Sequence, residues 1–548
     1  MKLKIDFEHL KEKRWLKDLL VAFPLFVLSL GILLYYIIGP SEGFFHSDCA
    51  DSILWANATL ESGKILSEDF YYAALLPFGS GIWMVPAVAV FGLSMPAQIF
   101  SMCVFAVLFC AVITFFFRSM KWDWKWTAAA VFSVSLVLSG SEKLREIMWE
   151  HTIYYSLGII LVFLLLGLLF RILNSSCEKG KNAKFIVWSV LLFAVCVGCG
   201  TDGFQILMLT AVPVLGALVL YAFFDGETPL FSMRNGKKYV AALIMLVGVL
   251  AGFVLLSVLT KGGSISAGYE NAYSLWSDLS VWRENAAKFF EQYFSLLGID
   301  VTASKLFAWS SVVTILRLAG ALAMLVCPMI LLFRYHKIRD PYTKIALLAH
   351  WILTAVILFG YICGMLSAAE WRLTPLVGSA AVATFLCIRH FVLENGIVGK
   401  RIGILFLVVI LAFSLVNFVT IAKIPADYGS DDPIYEVIED LEERGLDYGY
   451  ASFWNAGRTT LLSDGDILVR NINIDASGIT PNRYQSAESW YEDIEGQESY
   501  FLLLTSDEYT TFMSSLYGRK LIAYRGLLSE FNIDGYYVLE FGGNIFLD

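Results

Sequence analysis

The chain has 548 residues, 57% of them hydrophobic and 16% charged, with a mean hydropathy of +0.65. A soluble domain is roughly half apolar and about a quarter charged, so these proportions exclude an ordinary water-soluble protein. The net charge of -9 is unevenly spread and says little about partners, and with no basic patch interleaved with aromatics the sequence makes no case for nucleic acid.

Lys2, Lys4, Lys11, Lys13, Arg14 and Lys17 precede the first apolar block, which begins near Leu19 and ends at Gly39 and Pro40. The block is too long for a signal-peptide core and lacks a small-residue cleavage site, so it reads as a retained helix. Blocks of about 20 apolar residues match the roughly 30 Å hydrocarbon core of a bilayer. Eleven spans are predicted, near 18–39, 97–117, 127–141, 152–173, 185–200, 204–224, 239–259, 311–333, 345–363, 373–394 and 402–421. The stretch Gly81–Ser94 has only 14 residues and contains Pro86. It suits a re-entrant or interfacial segment better than a span.

Loop charge sets the orientation. With Gly81–Ser94 not spanning, one set of loops collects the basic residues: Arg118, Lys121 and Lys125; Arg171, Lys179, Lys181 and Lys184; Arg234, Lys237 and Lys238; Arg334, Lys337, Arg339 and Lys344; Lys400 and Arg401. The first opposite loop, Pro40–Pro96, has Lys64 as its only basic residue. The N-terminus is therefore expected in the cytoplasm and the C-terminal region outside. The expected domains are an all-α polytopic membrane domain over 1–421 and a small extracytoplasmic α/β domain over 422–548. In the latter a helix from Ile434 ends at Gly445, a C′ glycine. Strand-like runs follow at Gly449–Trp454, Asp466–Ile472, Tyr500–Thr505, Lys520–Tyr524 and Tyr536–Phe541.

Nine cysteines are present, most of them in apolar blocks. Their spacing gives neither a disulfide framework nor a zinc site.

The first outside loop concentrates acids: Glu42, Asp48, Asp51, Glu61, Glu68 and Asp69. Asp48 and Asp51 are spaced to share one helical face. Ile53, Leu54, Ala56 and Leu60 suit an amphipathic helix at the membrane surface. A carboxylate held there, beside a membrane-dipping segment, can act as general base toward a hydroxyl or amine. The plain alternative is a solvated acidic loop.

This loop resembles the first outside loop of the GT-C membrane glycosyltransferases, the group of protein O-mannosyltransferases and bacterial aminoarabinose transferases. Their pattern is an Asp soon after the first helix, a juxtamembrane helix, a Gly spaced as Gly63 is from Asp48, and a second juxtamembrane helix, here Gly81–Ser94. The resemblance runs, with decreasing strength, over Leu19–Ile421. It implies Asp48 as the catalytic base. Asp51 is a candidate partner, since Cys49 stands where the family usually has a second acid. The family's Pro-Pro before the second juxtamembrane helix is replaced by Leu76-Pro77-Phe78-Gly79.

Further positions follow from the same resemblance. Glu150, in Trp149-Glu150-His151, matches the family's second acid, with Glu146 next. Such an acid near a bilayer needs a partner or a polar cavity, which His151, Arg145 or Lys143 could supply. Asp202 lies in the turn Gly200–Gln205, either as punctuation or as site lining. Glu370-Trp371-Arg372-Leu373-Thr374-Pro375 resembles the family's Arg-Tyr-x-x-Pro element, which gives Arg372 to a lipid phosphate. A guanidinium fork suits two phosphate oxygens; the alternative is pairing with Glu370 or a headgroup. Arg283 and Lys288, in the long loop Thr260–Ser310, are alternative phosphate contacts. That loop also holds Tyr269, Tyr273, Trp276, Trp282, Phe289, Phe290 and Tyr293, which suit sugar stacking or an interfacial belt. In the C-terminal region Trp454 and Asn455 suit acceptor binding or a buried strand, and Leu461-Leu462-Ser463-Asp464-Gly465 is distinctive.

The resemblance implies an enzyme of the cytoplasmic membrane that takes a sugar from a polyprenyl-phosphate donor. The acceptor would be an envelope glycan, lipid or protein. The acids would tolerate a divalent metal, but no ligand spacing demands one. Two other classes stay open: a lipid-linked sugar transporter or flippase, and a non-catalytic envelope glycan assembly protein. The first predicts charges inside the spans, and there Arg317 stands nearly alone.

Overall fold

The computed structural model describes residues 14–176, 182–224, 232, 235–262, 275–300, 305, 307–365 and 368–546. Lys2, Lys4, Lys11, Lys13, Lys179, Lys181, Arg234, Tyr269 and Tyr273, singled out above, lie outside these residues. The chain folds as two compact units. One comprises Met1–Tyr35, Phe105–Leu256 and Tyr273–Ile424; the other comprises Tyr36–Val104, Ser257–Ala272 and Pro425–Asp548.

Among the described residues, nine helices are long and apolar enough to cross a membrane. With α1 (Arg14–Ile38), α2 (Asp51–Ser62) and α3 (Ile82–Phe91) ahead of them, the first is α4 (Met95–Ser119). After α5 (Trp124–Val137) come α6 (Tyr154–Asn174), α7 (Ala183–Thr201), α8 (Gly203–Phe224, broken at Thr210) and α9 (Gly236–Leu259). Beyond α10 (Leu279–Leu296) follow α11 (Trp309–Phe333), α12 (Pro341–Cys363), α13 (Thr374–Glu394, entered through the turn Glu370–Leu373) and α14 (Ile397–Ala422). The other two predicted spans coincide with α1, of 25 residues, and α5, of 14. At about 1.5 Å per residue, α5 falls short of a roughly 30 Å core. So does α3, with 10 residues and Pro86 inside it, as expected for a segment that does not cross.

Within the first unit, two contacts show how the helices lock. Small residues let α7 and α9 touch backbone to backbone. A Cβ on Gly200 would lie 2.4 Å from the Val249 carbonyl oxygen, and one on Gly252 would lie 2.3 Å from that of Val197. Thr201 Oγ1 donates to the Gly252 carbonyl at 3.3 Å, at the end of α7 where Asp202 follows. Arg317, a charge inside α11, has its guanidinium spoken for. It donates to the Gly298 carbonyl at 2.7 Å, to Asn417 Oδ1 at 3.2 Å and to Thr420 Oγ1 at 3.2 Å. Asn417 in turn donates to the Leu136 carbonyl at 3.0 Å. A charge at that depth persists because its donors are satisfied.

The second unit is built on a six-stranded sheet. Its strands are β2 (Tyr448–Ser452), β3 (Leu468–Asp475), β4 (Gly478–Pro481), β6 (Tyr500–Thr505), β7 (Leu527–Ile533) and β8 (Tyr536–Phe541), in the order β4-β3-β2-β6-β8-β7. β2 runs parallel to β3 and β6; the other pairs are antiparallel. Alternation along β6 divides the core. Tyr500, Leu502 and Leu504 face one layer, with Tyr450, Phe512 and Leu521. Phe501 and Leu503 face the other, with Val437, Ile438 and Leu441 of α15 (Pro433–Arg444). α15 ends at Gly445 with φ 68°, the left-handed cap its sequence announces.

The predicted strand Lys520–Tyr524 is instead part of helix α18 (Leu516–Arg525), which follows α16 (Phe453–Leu462) and α17 (Ser506–Ser514). Ser515 caps α18 by accepting from the Gly518 backbone N–H at 2.8 Å. That cap outweighs a short apolar run whose period is ambiguous. Trp454 lies in the first turn of α16 and is exposed, whereas Asn455 is buried.

Residues 36–104 pack in this same unit. The short strand β1 (Phe70–Tyr71) pairs antiparallel with β5 (Ser486–Ala487). Asp464 accepts a hydrogen bond from the Met95 backbone N–H at 3.1 Å, capping the start of α4. Gly465, at φ 82°, follows where a Cβ would lie 2.5 Å from the Leu93 carbonyl oxygen. The Ser463-Asp464-Gly465 motif thus has a structural use.

Candidate active site

Asp48 sits in a single 3-10 turn, Ser47–Ala50, and is half-buried. Its carbonyl accepts the Asp51 backbone N–H. Asp51 then opens α2, which ends at Gly63 with φ 65°. The sequence suggested a surface helix with one apolar stripe. The structure buries Asp51, Ser52, Ile53, Leu54, Trp55 and Ala56 in succession, and leaves Leu60 exposed. Ser80 Oγ donates to Ser52 Oγ at 2.8 Å, and a Cβ on Gly81 would lie 3.1 Å from Trp55 Cβ. The turn Pro77–Gly81 therefore sets α2 against the start of α3.

Asp51 is only 7% exposed, and its Oδ1 has no hydrogen-bond partner. Burial first, and then the charge of Asp48, raise its carboxyl well above the ordinary 3.8. The side-chain amide of Gln485 faces it and opposes that rise, but Gln485 Nε2 stays short of a hydrogen bond. The surroundings of Asp51 therefore favour its protonated form.

Gln485 is the residue that sequence reading missed. It is buried, and its φ of 56° is left-handed for a side chain that disfavours it, a strain of order 1–3 kcal/mol. Its Oε1 accepts from Trp55 Nε1 and from the Ala73 backbone N–H at 3.3 Å. Its own N–H donates to the Tyr71 carbonyl at 2.9 Å. Nothing in the string Asn482-Arg483-Tyr484-Gln485 announces this, because each partner is more than 400 residues away in the chain.

The other predicted site residues belong to the first unit. Glu150 and Asp202 are buried, and neither is without a partner. Lys143 pairs with Glu146 and also lies over the Trp371 ring, 5.5 Å from its centroid. This brings the 142–150 segment to the turn that carries Glu370 and Arg372. α10 approaches the same turn: Gln292 Nε2 donates to the Ala368 carbonyl at 2.7 Å. Arg372 is half-buried, and its Nε and Nη1 have no partner. Tyr155 hydrogen-bonds its guanidinium and Tyr361 lies near; it makes no ion pair with Glu370. Pro375, in the first turn of α13, ends that turn and starts the helix. Arg283 and Lys288 are exposed on α10, and Lys288 is paired with Glu284 at 2.6 Å. Tyr155 and Tyr361 were legible only as aromatics at span ends. Among the described residues, no group of three or more His, Cys, Asp or Glu is placed to hold a metal.

No protein-family model matches the sequence, and no curated protein matches it. Solved structures do. The chain is similar to ArnT from Cupriavidus metallidurans bound to undecaprenyl phosphate, at TM-score 0.55 and 11% identity, over 95% of this chain and 97% of that one. The apo state of the same protein aligns at TM-score 0.53 and 12% identity, over 94% and 97%. The Archaeoglobus fulgidus oligosaccharyltransferase aligns at TM-score 0.47 and 13% identity, over 94% and 73%. With both ArnT structures matched over nearly the whole of each chain, this multi-pass membrane protein has the GT-C fold.

Proposed function

We propose that the protein is a membrane glycosyltransferase that moves a sugar from a polyprenyl-phosphate donor to a cell-envelope acceptor. The site faces outward, with the N-terminus in the cytoplasm and the sheet domain outside. The observation that carries this reading is the carboxylate pair, a buried Asp51 whose carboxyl is raised well above its ordinary value beside a half-buried Asp48. The GT-C fold supports the class of reaction, and the undecaprenyl phosphate bound by ArnT supports the class of donor.

Asp48 takes the proton from the acceptor hydroxyl or amine as that atom bonds to the anomeric carbon. The bond from that carbon to the phosphate oxygen breaks, and the configuration inverts. Asp51 keeps its proton, so the pair presents one negative charge rather than two. Arg372, with two N–H groups that have no partner, is proposed as a contact for a lipid phosphate, since such a contact is charge-assisted. Glu150 assists from its buried position. Asp202, Glu370, Arg283 and Lys288 are proposed as further substrate contacts. The flippase alternative loses support because Arg317 spends its donors on neighbouring groups.

The test is transfer from a lipid-linked sugar by Asp48→Asn in membranes. Loss of a general base lowers the rate about 10²–10⁴-fold, with membrane insertion unchanged. Undiminished transfer would remove Asp48 from this role.

A further inference from the structure

A second polar cavity lies in the unit that holds the carboxylate pair. It is a cleft of about 290 Å³, lined among others by Asn57, Glu61, Asp69, Phe70, Ser489 and Trp490. Its frame is fixed by hydrogen bonds. The β1–β5 ribbon joins Phe70 to Ala487, and the Glu488 N–H donates to the Asp69 carbonyl at 2.9 Å. The Ser489 backbone and hydroxyl both donate to the Asp69 carboxylate. On α2, Asn57 Nδ2 donates to Glu61 Oε1 at 2.9 Å. That leaves the Asn57 carbonyl oxygen and the second Glu61 oxygen open to a ligand.

The chemistry of this lining is selective. Trp490 and Phe70 meet edge to face, with centroids 5.7 Å apart, and offer apolar ring surface. The amide, the hydroxyl and the two carboxylates offer hydrogen-bond acceptors at fixed places. No Lys or Arg lines the cleft, so a phosphate, sulfate or uronate would face two negative charges unopposed. The volume is at the low end of the about 300–1,000 Å³ of small-molecule sites, which suits one sugar ring and excludes a polyprenyl chain.

A second cavity, of about 10 Å³, shares Leu54 and Trp490 with the cleft and is lined by Ser47, Arg470 and Gln485. A space of this size has room for one water at most. Into it face two buried side chains with open N–H groups, Arg470 Nε and Gln485 Nε2. Gln485 is the residue that faces Asp51. Trp490 thus borders both the cleft and the polar chamber beside the acid pair.

We infer that the cleft binds a neutral or amine-bearing sugar ring, and that this ring is part of the acceptor. The word acceptor rests on the transferase reading; the binding itself does not.

The experiment uses the full chain in lipid nanodiscs and saturation-transfer NMR. The probes are methyl glucoside, methyl N-acetylglucosaminide, methyl glucosaminide and, as the anionic probe, glucose 1-phosphate. At least one methyl glycoside is expected to receive saturation and to bind at least tenfold more tightly than glucose 1-phosphate. Glu61→Gln and Asn57→Ala, both on the accessible side of α2, should weaken it at least fivefold. Glu68→Gln, whose carboxylate pairs with Lys64 at 2.7 Å outside the cleft, should not. Asp48→Asn should keep the binding while losing transfer. Absence of glycoside binding, equal binding of the phosphate, or indifference to both cleft variants would overturn the inference. Glycoside binding in a wild-type chain that transfers no sugar from any lipid-linked donor would instead overturn the transferase reading and leave the cleft standing.

Discussion

At the scale of single residues, the carboxylate pair makes a prediction that needs no substrate. Folding favours a proton on Asp51 that the unfolded chain releases near pH 4, because burial and the Asp48 charge raise its carboxyl well above 3.8. A raised acid makes the native state the better proton binder. Its contribution to stability is full below the unfolded value and declines as pH rises through the folded one. Asp51→Asn keeps the shape, removes the ionisable proton and leaves an acceptor facing Gln485. We expect the variant to melt above the wild type at pH 7.5, with the gap closing toward pH 4. Parallel melting profiles from pH 4 to 8 would show that Asp51 is not the buried acid described above. The sequence made Asp48 and Asp51 visible as a pair, because spacing is local. It could not say which one is buried, because the side chain that covers Asp51 comes from Gln485.

At the scale of elements, apolar length was enough to find nine of the eleven predicted spans among the described residues, and Gly445 was enough to end α15. Helix contacts were less legible. Gly200 and Gly252 look alike to Gly198 in sequence, yet only the first two sit where backbones meet. Gly252→Val would push a side chain against the Val197 carbonyl, and backbone cannot yield as a flexible side chain does. Overpacking of this kind costs about 1–3 kcal/mol. It should also disturb the end of α7, where Thr201 and Asp202 stand. Gly198→Val is the control, since its Cβ would meet nothing within 4 Å. Thermal unfolding in detergent should separate the two variants by several degrees; matched midpoints would mean that α7 and α9 do not depend on this contact. The misread strand at Lys520–Tyr524 has the same origin. A run of four apolar residues, Leu521–Tyr524, has too few turns to show its period, and the deciding signal was the Ser515 cap before it.

At the scale of the whole molecule, composition reveals where apolar spans stop but not which distant segments fold together. The region after Ile421 reads as a separate domain because it is polar and has its own helix and strands. Its coordinates add something the sequence does not contain. Residues 425–548 and residues 36–104 form one compact unit, joined by β1–β5 pairing, by Gln485 at Trp55 and Ala73, and by Asp464 at Met95. Trp55 bonds Gln485 and Leu54 shares a cavity lining with Phe453 and Arg470 through this arrangement. A chain ended at Ile424 would therefore lose more than a sheet domain. Its first loop would present an indole N–H, a strand edge and an apolar helix with no partners, and unsatisfied buried groups cost about 1–3 kcal/mol each. The expected result is membrane insertion without a folded first loop, read as new protease cleavage between residues 52 and 76. Gln485→Ala in the intact chain should give the same cleavage more slowly, because it removes one acceptor from two donors and leaves the sheet in place. Equal protease resistance in all three chains would mean that the first loop folds on its own, and that the acid pair owes nothing to the sheet beside it.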